Sequence, residues 1–361
     1  MTKFKKDVII MPEFEKYIRR VEPYVPGDQP NFSDMIKLNT NENPYPPSPE
    51  VQKAIESCSY ESLRLYPDPT SQKLNKAIAD RYGLKESQVF TGVGSDDVIA
   101  MCFLTFFNSD KPMLFPDITY AFYPVWAEML RIPYELIPLN EDFEIVPEDY
   151  CRENGGIIFP NPNAPTGALL PLESIEKIIK SNPDSIVMVD EAYIDFGGQS
   201  AVPLIEKYDN LIVVQTFSKS RALAGMRIGY AMGNEKLIRA LGDVKYSFNS
   251  YTMNRQVIEA GAAAVKDEEY FQSIVSKIIA TRERAKKEFA ALGFKFKDSM
   301  SNFLFVTHPE WNAKELFEAL KEKHIFVRYL RGKRTDNYLR ISIGTDEEMD
   351  ALFEFLRNYK K

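Results

Sequence analysis

Short apolar runs alternate with amphipathic segments between about residue 84 and residue 246. Apolar runs bounded by turn residues predict buried strands, and apolar positions spaced three and four apart predict helices. Strands are predicted at 88–91, 113–115, 156–159, 186–189 and 211–215, and helices at 95–107, 120–130 and 172–180. This alternation is typical of a largely parallel sheet that is covered by helices on both faces.

The segment before this alternation is rich in proline. Residues 41–49 contain four prolines, which exclude a helix or a central strand and predict an extended, ordered loop. Ser48 is a predicted N-cap for a helix that begins at Pro49. A second helix is predicted from Thr70 or Ser71 to Gly83, where glycine ends it.

The pattern changes after about Tyr246. Helical patterns fill 253–292, and then come a strand at 302–306, a helix at 313–323, strands at 325–329 and 338–343, and a helix at 346–358. These elements predict a smaller α+β domain. We therefore expect an N-terminal arm at 1–35 that packs with the small domain, a large domain at 36–250 and a small domain at 251–361.

Composition and charge limit the classes of function. The 361 residues are 44% hydrophobic and 27% charged, with a net charge of −7. These are ordinary values for a globular protein, and the negative charge argues against nucleic acid or an anionic membrane as the main partner. The uncharged run at 98–107 is too short to span a bilayer, and 8–11 is too short for a signal peptide.

Few residues are available for metal binding or disulfides. Cys58, Cys102 and Cys151 have no CxxC spacing, and the only histidines are His308 and His324. This pattern predicts neither a zinc site nor a disulfide framework, and it excludes a mechanism that needs several histidines. We therefore expect no metal, and a soluble, cytoplasmic protein.

An acid and a lysine each follow a predicted strand. Asp190 ends the run at 186–189, with Tyr193 three residues later, and Lys219 follows 211–215 beside Ser218. A carboxylate there can pair with an arginine or lysine, a metal or a protonated ring nitrogen, or it can simply cap a helix. A lysine is a nucleophile when neighbouring cations lower its pKa, and is otherwise a surface residue. Together, a Schiff-base lysine and an acidic partner for a ring nitrogen indicate pyridoxal phosphate chemistry.

Two further turns follow predicted strands. Gly94, Ser95 and Asp96 lie between a strand and a helix, where free backbone N–H groups can bind a phosphate. Ser95 alone also fits an ordinary helix N-cap. The second turn, at 160–167, is rigid and ends in Pro165-Thr166-Gly167.

With Arg227 eight residues after Lys219, this set resembles the fold-type I, aspartate-aminotransferase-like pyridoxal phosphate enzymes, over residues 37–358. The resemblance implies an α/β fold with a mixed, mostly parallel sheet, helices on both faces and a smaller α+β domain. It implies pyridoxal 5'-phosphate as the cofactor. Lys219 is then the Schiff-base lysine and general acid/base, Asp190 the partner of the ring nitrogen, and Tyr193 a donor to the phenolate oxygen. The implied cofactor phosphate site is Gly94, Ser95, Asp96, Ser218 and Arg227, and Tyr120 stacks on the ring.

One position departs from the family pattern. The family places an asparagine directly before Pro-Thr-Gly, where it also bonds the phenolate oxygen, but this chain has Ala164. Three alternatives follow: Asn163 takes the role, Asn161 takes it, or Tyr193 acts alone.

Within the family, residues 38–45, 66–68, 190–193 and 338–345 resemble the histidinol-phosphate aminotransferases. This likeness implies that Arg340 binds an α-carboxylate and that Arg328, with Tyr24, binds the phosphate of the substrate. It also implies that Tyr66 reaches the cofactor phosphate of the neighbouring subunit in a homodimer with shared active sites.

The expected activity is transamination of a phosphorylated amine, L-histidinol phosphate, with 2-oxoglutarate, which gives imidazole acetol phosphate and glutamate. The alternatives within the subgroup are a threonine-phosphate decarboxylase and an aromatic-amino-acid aminotransferase. A more distant alternative is a non-catalytic ligand-binding protein on the same fold.

Overall fold

The computed structural model describes residues 13–359. Its strands are β1 (Ile36–Lys37), β2 (Val89–Gly92), β3 (Met113–Pro116), β4 (Tyr134–Ile137), β5 (Ile157–Pro160), β6 (Val187–Asp190), β7 (Leu211–Thr216), β8 (Gly229–Gly233), β9 (Lys295–Phe296), β10 (Phe303–Thr307), β11 (Ile325–Phe326), β12 (Arg328–Tyr329) and β13 (Leu339–Ser342). The helices are α1 (Pro49–Glu56), α2 (Gln72–Tyr82), α3 (Ser95–Phe106), α4 (Phe122–Leu130), α5 (Leu172–Ser181), α6 (Glu235–Phe248), α7 (Arg255–Lys266), α8 (Glu268–Ala291), α9 (Ala313–Glu322) and α10 (Asp346–Asn358).

Seven strands form the large sheet in the order β2-β8-β7-β6-β5-β3-β4. All neighbouring pairs are parallel except those of β8, which is antiparallel to both β2 and β7. The mixed, mostly parallel sheet is therefore confirmed. The apolar pattern predicted neither β4, an edge strand with exposed residues at its centre, nor β8, which has glycine at both ends. Glycine is depleted in strands, so a glycine-bounded segment gives a weak strand signal.

Helices cover both faces of this sheet, as the alternation predicted. Successive strand residues point to opposite faces, so Val187 and Val189 pack with α2, α5 and α7, whereas Met188 packs with α3, α4 and α6. The carboxyl ends of β5, β6 and β7 then lie at one edge, where ligands bind in open α/β sheets. The first helix begins as predicted, because the Ser48 hydroxyl accepts a hydrogen bond from the Glu50 N–H.

The C-terminal part contains an antiparallel sheet in the order β12-β13-β10-β9, packed against α8, α9 and α10. The single strand predicted at 325–329 is wrong. Here β11 pairs with β1 in a separate parallel ribbon, and β12 pairs with β13. The chain changes sheets at the buried Val327, so one apolar run serves two sheets. The change of pattern near Tyr246 does not mark the end of a helix, since α6 continues to Phe248.

The N-terminal arm contacts both parts of the molecule. The Phe32 ring stacks on His324 at 4.4 Å, and Asp28 forms an ion pair with Lys321 at 3.0 Å. The Tyr24 ring instead stacks on Phe122 in α4. Residues 1–12, including the run at 8–11, lie outside the described residues, and the division at 35 and 250 stays a prediction. Within 13–359, no helix combines the length and apolarity needed to cross a membrane.

Candidate active site

A cavity of about 370 Å³ lies at the carboxyl ends of β5, β6 and β7. Polar side chains from distant parts of the sequence meet there, as expected for strand ends that share one edge. Its lining includes nine of the predicted site residues: Ser95, Asp96, Tyr120, Asp190, Tyr193, Ser218, Lys219, Arg227 and Arg340.

Asp190 supplies a buried carboxyl group to this cavity. It ends the central strand β6, and it accepts hydrogen bonds from the Tyr123 hydroxyl at 2.8 Å and the Ala192 N–H at 3.2 Å. Burial raises the pKa of Asp190 to about 6. A buried carboxyl with a raised pKa is one that a cationic partner would stabilise as an anion. This environment therefore suits a protonated ring nitrogen.

Lys219 and Tyr193 bring an amine and a phenol to the same cavity. The Lys219 Nζ donates to the Thr40 carbonyl at 3.2 Å and lies 5.9 Å from the centre of the Tyr193 ring. The Tyr193 ring packs edge-on against Phe303 at 5.0 Å. Its hydroxyl accepts a hydrogen bond from Asn41 at 2.9 Å. Thr40 and Asn41, which are adjacent in the chain, thus hold the two side chains in place.

The start of α3 and Arg227 form an anion-binding end of the cavity. The Arg227 guanidinium donates to the Ser218 hydroxyl at 3.3 Å and lies 3.7 Å from the Asp96 carboxylate. Gly94 precedes Ser95 with a φ of +86°, and a Cβ there would lie 2.4 Å from Arg227. The helix N-terminus, a hydroxyl and a guanidinium are the groups that bind phosphate.

Tyr120 contributes an aromatic wall. Its hydroxyl donates to Asp96 at 2.8 Å, and its ring lies edge-on to Tyr123 at 5.7 Å. Burial, and then the Asp96 charge, raise the pKa of Tyr120, so the phenol stays protonated. The cavity lining thus combines phosphate-binding groups, a buried carboxyl, an amine and a phenol, a set that fits pyridoxal phosphate.

The structure does not bring Asn163 into this cavity. Its side chain donates to the Ile118 carbonyl at 3.1 Å and to Thr166 at 3.0 Å. The Asn161 amide is bound on both sides to the backbone of Leu170. Ala164 lines the cavity, whereas neither Asn161 nor Asn163 does. Both asparagines therefore organise the turn, and Tyr193 alone of the three alternatives faces the site.

Two arginines lie directly opposite each other beside the cavity. Arg328 in β12 is the register partner of Arg340 in β13. Arg340 donates to the Asn39 carbonyl at 3.0 Å, and Arg328 to the Val25 carbonyl at 3.3 Å. The buried Nε of Arg340 has no hydrogen-bond partner in residues 13–359. Like charges opposite each other destabilise a sheet, so this pair fits a bound anion.

Five predicted site residues lie outside the cavity lining: Gly94, Asn163 and Arg328, described above, and Tyr24 and Tyr66. Tyr24 lies beside its wall, with its ring 6.5 Å from that of Tyr120. Tyr66 is 78% exposed and stacks on Tyr251 at 4.6 Å. A role for Tyr66 therefore requires a site on another chain.

Residues 39–43 and Tyr123 reach the site groups although sequence reasoning assigned them no role. The three asparagines at 39, 41 and 43 could have indicated these contacts. Asparagines repeated within an ordered proline-rich loop usually form hydrogen bonds to nearby backbone or side-chain groups. Tyr123 gave no such signal, since it lies within an apolar helical pattern.

Comparisons with known proteins agree with this geometry. The family model for aminotransferase class I and II matches residues 33–356. The chain is 53% identical to the histidinol-phosphate aminotransferase of Lactococcus lactis subsp. cremoris, over 96% of this chain and 98% of that protein. It is 52% identical to that of Clostridium acetobutylicum, over 94% and 97%. The histidinol-phosphate aminotransferase of Sinorhizobium meliloti, solved with pyridoxal-5'-phosphate, has a TM-score of 0.81 and 25% identity, covering 88% and 89%.

Proposed function

This chain belongs to the class I and II aminotransferases, and from that premise we propose that it transfers the amino group of L-histidinol phosphate to 2-oxoglutarate. The observation that carries the proposal is a single cavity lined by an amine, a buried carboxyl, phosphate-binding groups and Arg340, with Arg328 as the register partner of Arg340 in the next strand. A phosphorylated substrate needs such a cation pair next to the reacting groups. The names of the relatives, at about half identity over nearly the full length, support the same substrate.

Each side chain has a role in holding the cofactor. When bound, pyridoxal phosphate supplies a carbonyl that takes up the amino group and a ring that accepts electron density. Arg227, Ser218 and the first N–H groups of α3 hold its phosphate. The Asp190 carboxylate keeps the ring nitrogen protonated, and the Tyr193 hydroxyl donates to the phenolate oxygen.

Lys219 moves the proton. Its Nζ would remove the proton from the carbon that bears the substrate amino group and would then donate it at a different carbon, the carbonyl carbon that pyridoxal phosphate would supply. The lysine thus acts as base and then as acid. The Thr40 carbonyl, which accepts from Nζ at 3.2 Å, holds the amine at the edge of the cavity. The amino donor and the amino acceptor would use this one cavity in turn, so we expect ping-pong kinetics.

The glutamate half-reaction tests the reaction class. Protein loaded with pyridoxal phosphate and mixed with glutamate alone should form about one 2-oxoglutarate per active site, without release of carbon dioxide. Carbon dioxide release would indicate a decarboxylase. Binding of glutamate without any product would indicate a ligand-binding protein.

Arg328 should determine the preference for a phosphorylated substrate. Phosphate carries nearly two negative charges and can satisfy both opposed guanidinium groups, whereas the glutamate α-carboxylate pairs mainly with Arg340. Losing a charge-assisted hydrogen bond of about 1.5–3 kcal/mol should raise the KM of Arg328→Gln for histidinol phosphate roughly ten- to a hundredfold. The KM for glutamate should change much less.

The matched control is Arg331→Gln, since Arg331 is exposed three residues away. Steady-state kinetics of the complete reaction, with histidinol phosphate as donor and in the reverse direction with glutamate as donor, separate the outcomes. Equal loss with both substrates would assign Arg328 to the fold or to a general carboxylate site. No loss with either would remove it from the active site.

We further propose a homodimer with shared active sites. Exposed large apolar side chains cluster where residues 60–66 meet the end of α6, and exposed apolar patches of this kind mark interaction surfaces. The Tyr66–Tyr251 stack and the contact of Tyr246 with the Pro69 carbonyl join the two segments. The exposed side chains are those of Tyr60, Leu63, Leu65, Tyr66, Tyr246, Phe248 and Tyr251.

The thiols of the protein are free, which suits the reducing cytoplasm.

Mixing two inactive variants tests the shared site. Tyr66→Ala and Lys219→Ala chains that exchange subunits at equal amounts should recover about a quarter of the wild-type activity, because only one site in each mixed dimer is intact. Light scattering or native mass spectrometry verifies the exchange. Absence of recovery in verified mixed dimers would contradict a shared active site.

A further inference from the structure

One short loop, residues 39–43, contacts three functional groups at once. The Asn39 carbonyl accepts from Arg340, the Thr40 carbonyl accepts from the Lys219 amine, and the Asn41 amide donates to the Tyr193 hydroxyl. We propose that Asn41 is a positioning residue, which aims the phenolic proton of Tyr193 into the cavity. This inference rests on the proposed function only in taking pyridoxal phosphate as the acceptor.

The hydrogen bonds around Asn41 determine which end of its amide faces Tyr193. The Asn41 backbone N–H donates to the Ser342 Oγ at 2.9 Å, and the Ser342 hydroxyl donates to the Asn41 Oδ1 at 3.0 Å. Because the only hydroxyl proton of Ser342 goes to Oδ1, the Nδ2 group is the end left for Tyr193. In the opposite orientation the Asn41 Nδ2 would donate to Ser342, and the buried hydroxyl proton of Ser342 would lose the acceptor that it has here.

The main chain of Asn41 is held equally firmly. Its carbonyl accepts from the Asn302 amide at 3.0 Å, its exposed fraction is 1%, and its φ is +56°. Asparagine adopts this left-handed conformation more readily than most residues. Ser342 and Asn302 of the small domain therefore hold Asn41 in place independently of its contact with Tyr193.

The bond from Asn41 decides where the Tyr193 proton points. A phenol has one proton, and an oxygen that accepts from Nδ2 must donate that proton elsewhere. Accepting one hydrogen bond also makes the hydroxyl a stronger donor. Tyr193 lines the cavity, so the proton points to the cofactor. Ala164, at the same cavity, offers no side-chain donor, so this donation from Tyr193 has no substitute there.

Asn41→Gly isolates the amide. Glycine tolerates the positive φ and keeps the backbone bond to Ser342, so the variant loses only side-chain hydrogen bonds. Titration of apo-protein with pyridoxal phosphate, followed by protein fluorescence, should show a Kd about five- to tenfold higher. The pH midpoint of the absorbance change of the bound cofactor should rise by about 0.5–1 unit, because the phenolate is less stabilised.

A double-mutant cycle separates positioning from general support of the fold. In a Tyr193→Phe background, Asn41→Gly should change the Kd less than about twofold, since the group that it orients is absent. Asn302→Ala serves as the matched control, because it loosens the same loop but retains the Asn41 Nδ2; its midpoint should stay at the wild-type value. If the glycine variant is too unstable to measure, Asn41→Asp takes its place. Aspartate keeps the shape and the Ser342 contact but accepts the Tyr193 proton, so the pH midpoint should again rise.

Two results would overturn the proposal: an unchanged Kd and midpoint in Asn41→Gly, or an equal loss in the Tyr193→Phe background. Both measurements are made without substrate, so they do not depend on whether histidinol phosphate is turned over. A wild-type protein that binds no pyridoxal phosphate would overturn the proposed function as well.

Discussion

Replacing Lys219 with alanine is expected to reduce turnover by at least about 10²–10⁴-fold, the usual contribution of a positioned acid–base group. The fold should survive, because the amine is part-buried and, among residues 13–359, makes one hydrogen bond, to the Thr40 carbonyl. Lys219→Arg is the charge-matched control. Its guanidinium cannot release a proton, so it should be about as inactive as alanine.

Steady-state rates and thermal unfolding of the three proteins decide the outcome. Turnover within about tenfold of wild type in Lys219→Ala, well short of the usual contribution of an acid–base group, would contradict the role of Lys219. Low turnover that follows from unfolding would appear as a lowered melting temperature.

Asp190→Asn should weaken cofactor binding and turnover while stabilising the apo-protein above pH 6. The folded-state pKa of Asp190, about 6, lies above its ordinary value of 3.8 because burial disfavours the charge. The folded state therefore binds this proton more tightly than the unfolded state does. The stabilisation of the fold that results is complete below about pH 4 and is lost as the pH rises through about 6. At pH 8 the charged carboxylate costs up to about 3 kcal/mol, which asparagine avoids.

Glu191→Gln is the matched control for Asp190→Asn. Burial likewise raises the pKa of the adjacent Glu191, to about 7, but Glu191 bonds Ser200, Ala201 and Gln215 rather than facing the cavity. Its cofactor affinity should stay at the wild-type value. Urea unfolding at pH 4 and pH 8 and cofactor titration check both variants. Full cofactor affinity in Asp190→Asn would reduce Asp190 to a structural role.

Residues that end apolar strands could be predicted as neighbours from the sequence. Asp190 is the last residue of the buried strand β6, and Lys219 comes three residues after the buried strand β7 ends. Parallel strands bring their carboxyl ends together. The same reasoning placed Ser95 at the start of a helix. Local patterns sufficed because each residue is positioned by the element that it ends.

Contacts across long sequence separations could not be predicted this way. Asn41 and Tyr193 are 152 residues apart, and their contact depends on β13 and on Asn302 of the small domain. Asn163 was a candidate because it lies next to the expected position, but the backbone of the turn directs it to Ile118 and Thr166. The strand β8 had a weak pattern because its role is close packing: a Cβ on Gly229 would lie 2.3 Å from the backbone of Ser95.

The most direct test of the account is a side-by-side measurement of kcat/KM with three amino substrates and 2-oxoglutarate as acceptor. The substrates are histidinol phosphate, threonine phosphate and phenylalanine, and the products measured are glutamate and carbon dioxide. We expect the highest kcat/KM with histidinol phosphate, with glutamate formed and no carbon dioxide released. A higher kcat/KM with phenylalanine, or carbon dioxide release from threonine phosphate, would contradict the account.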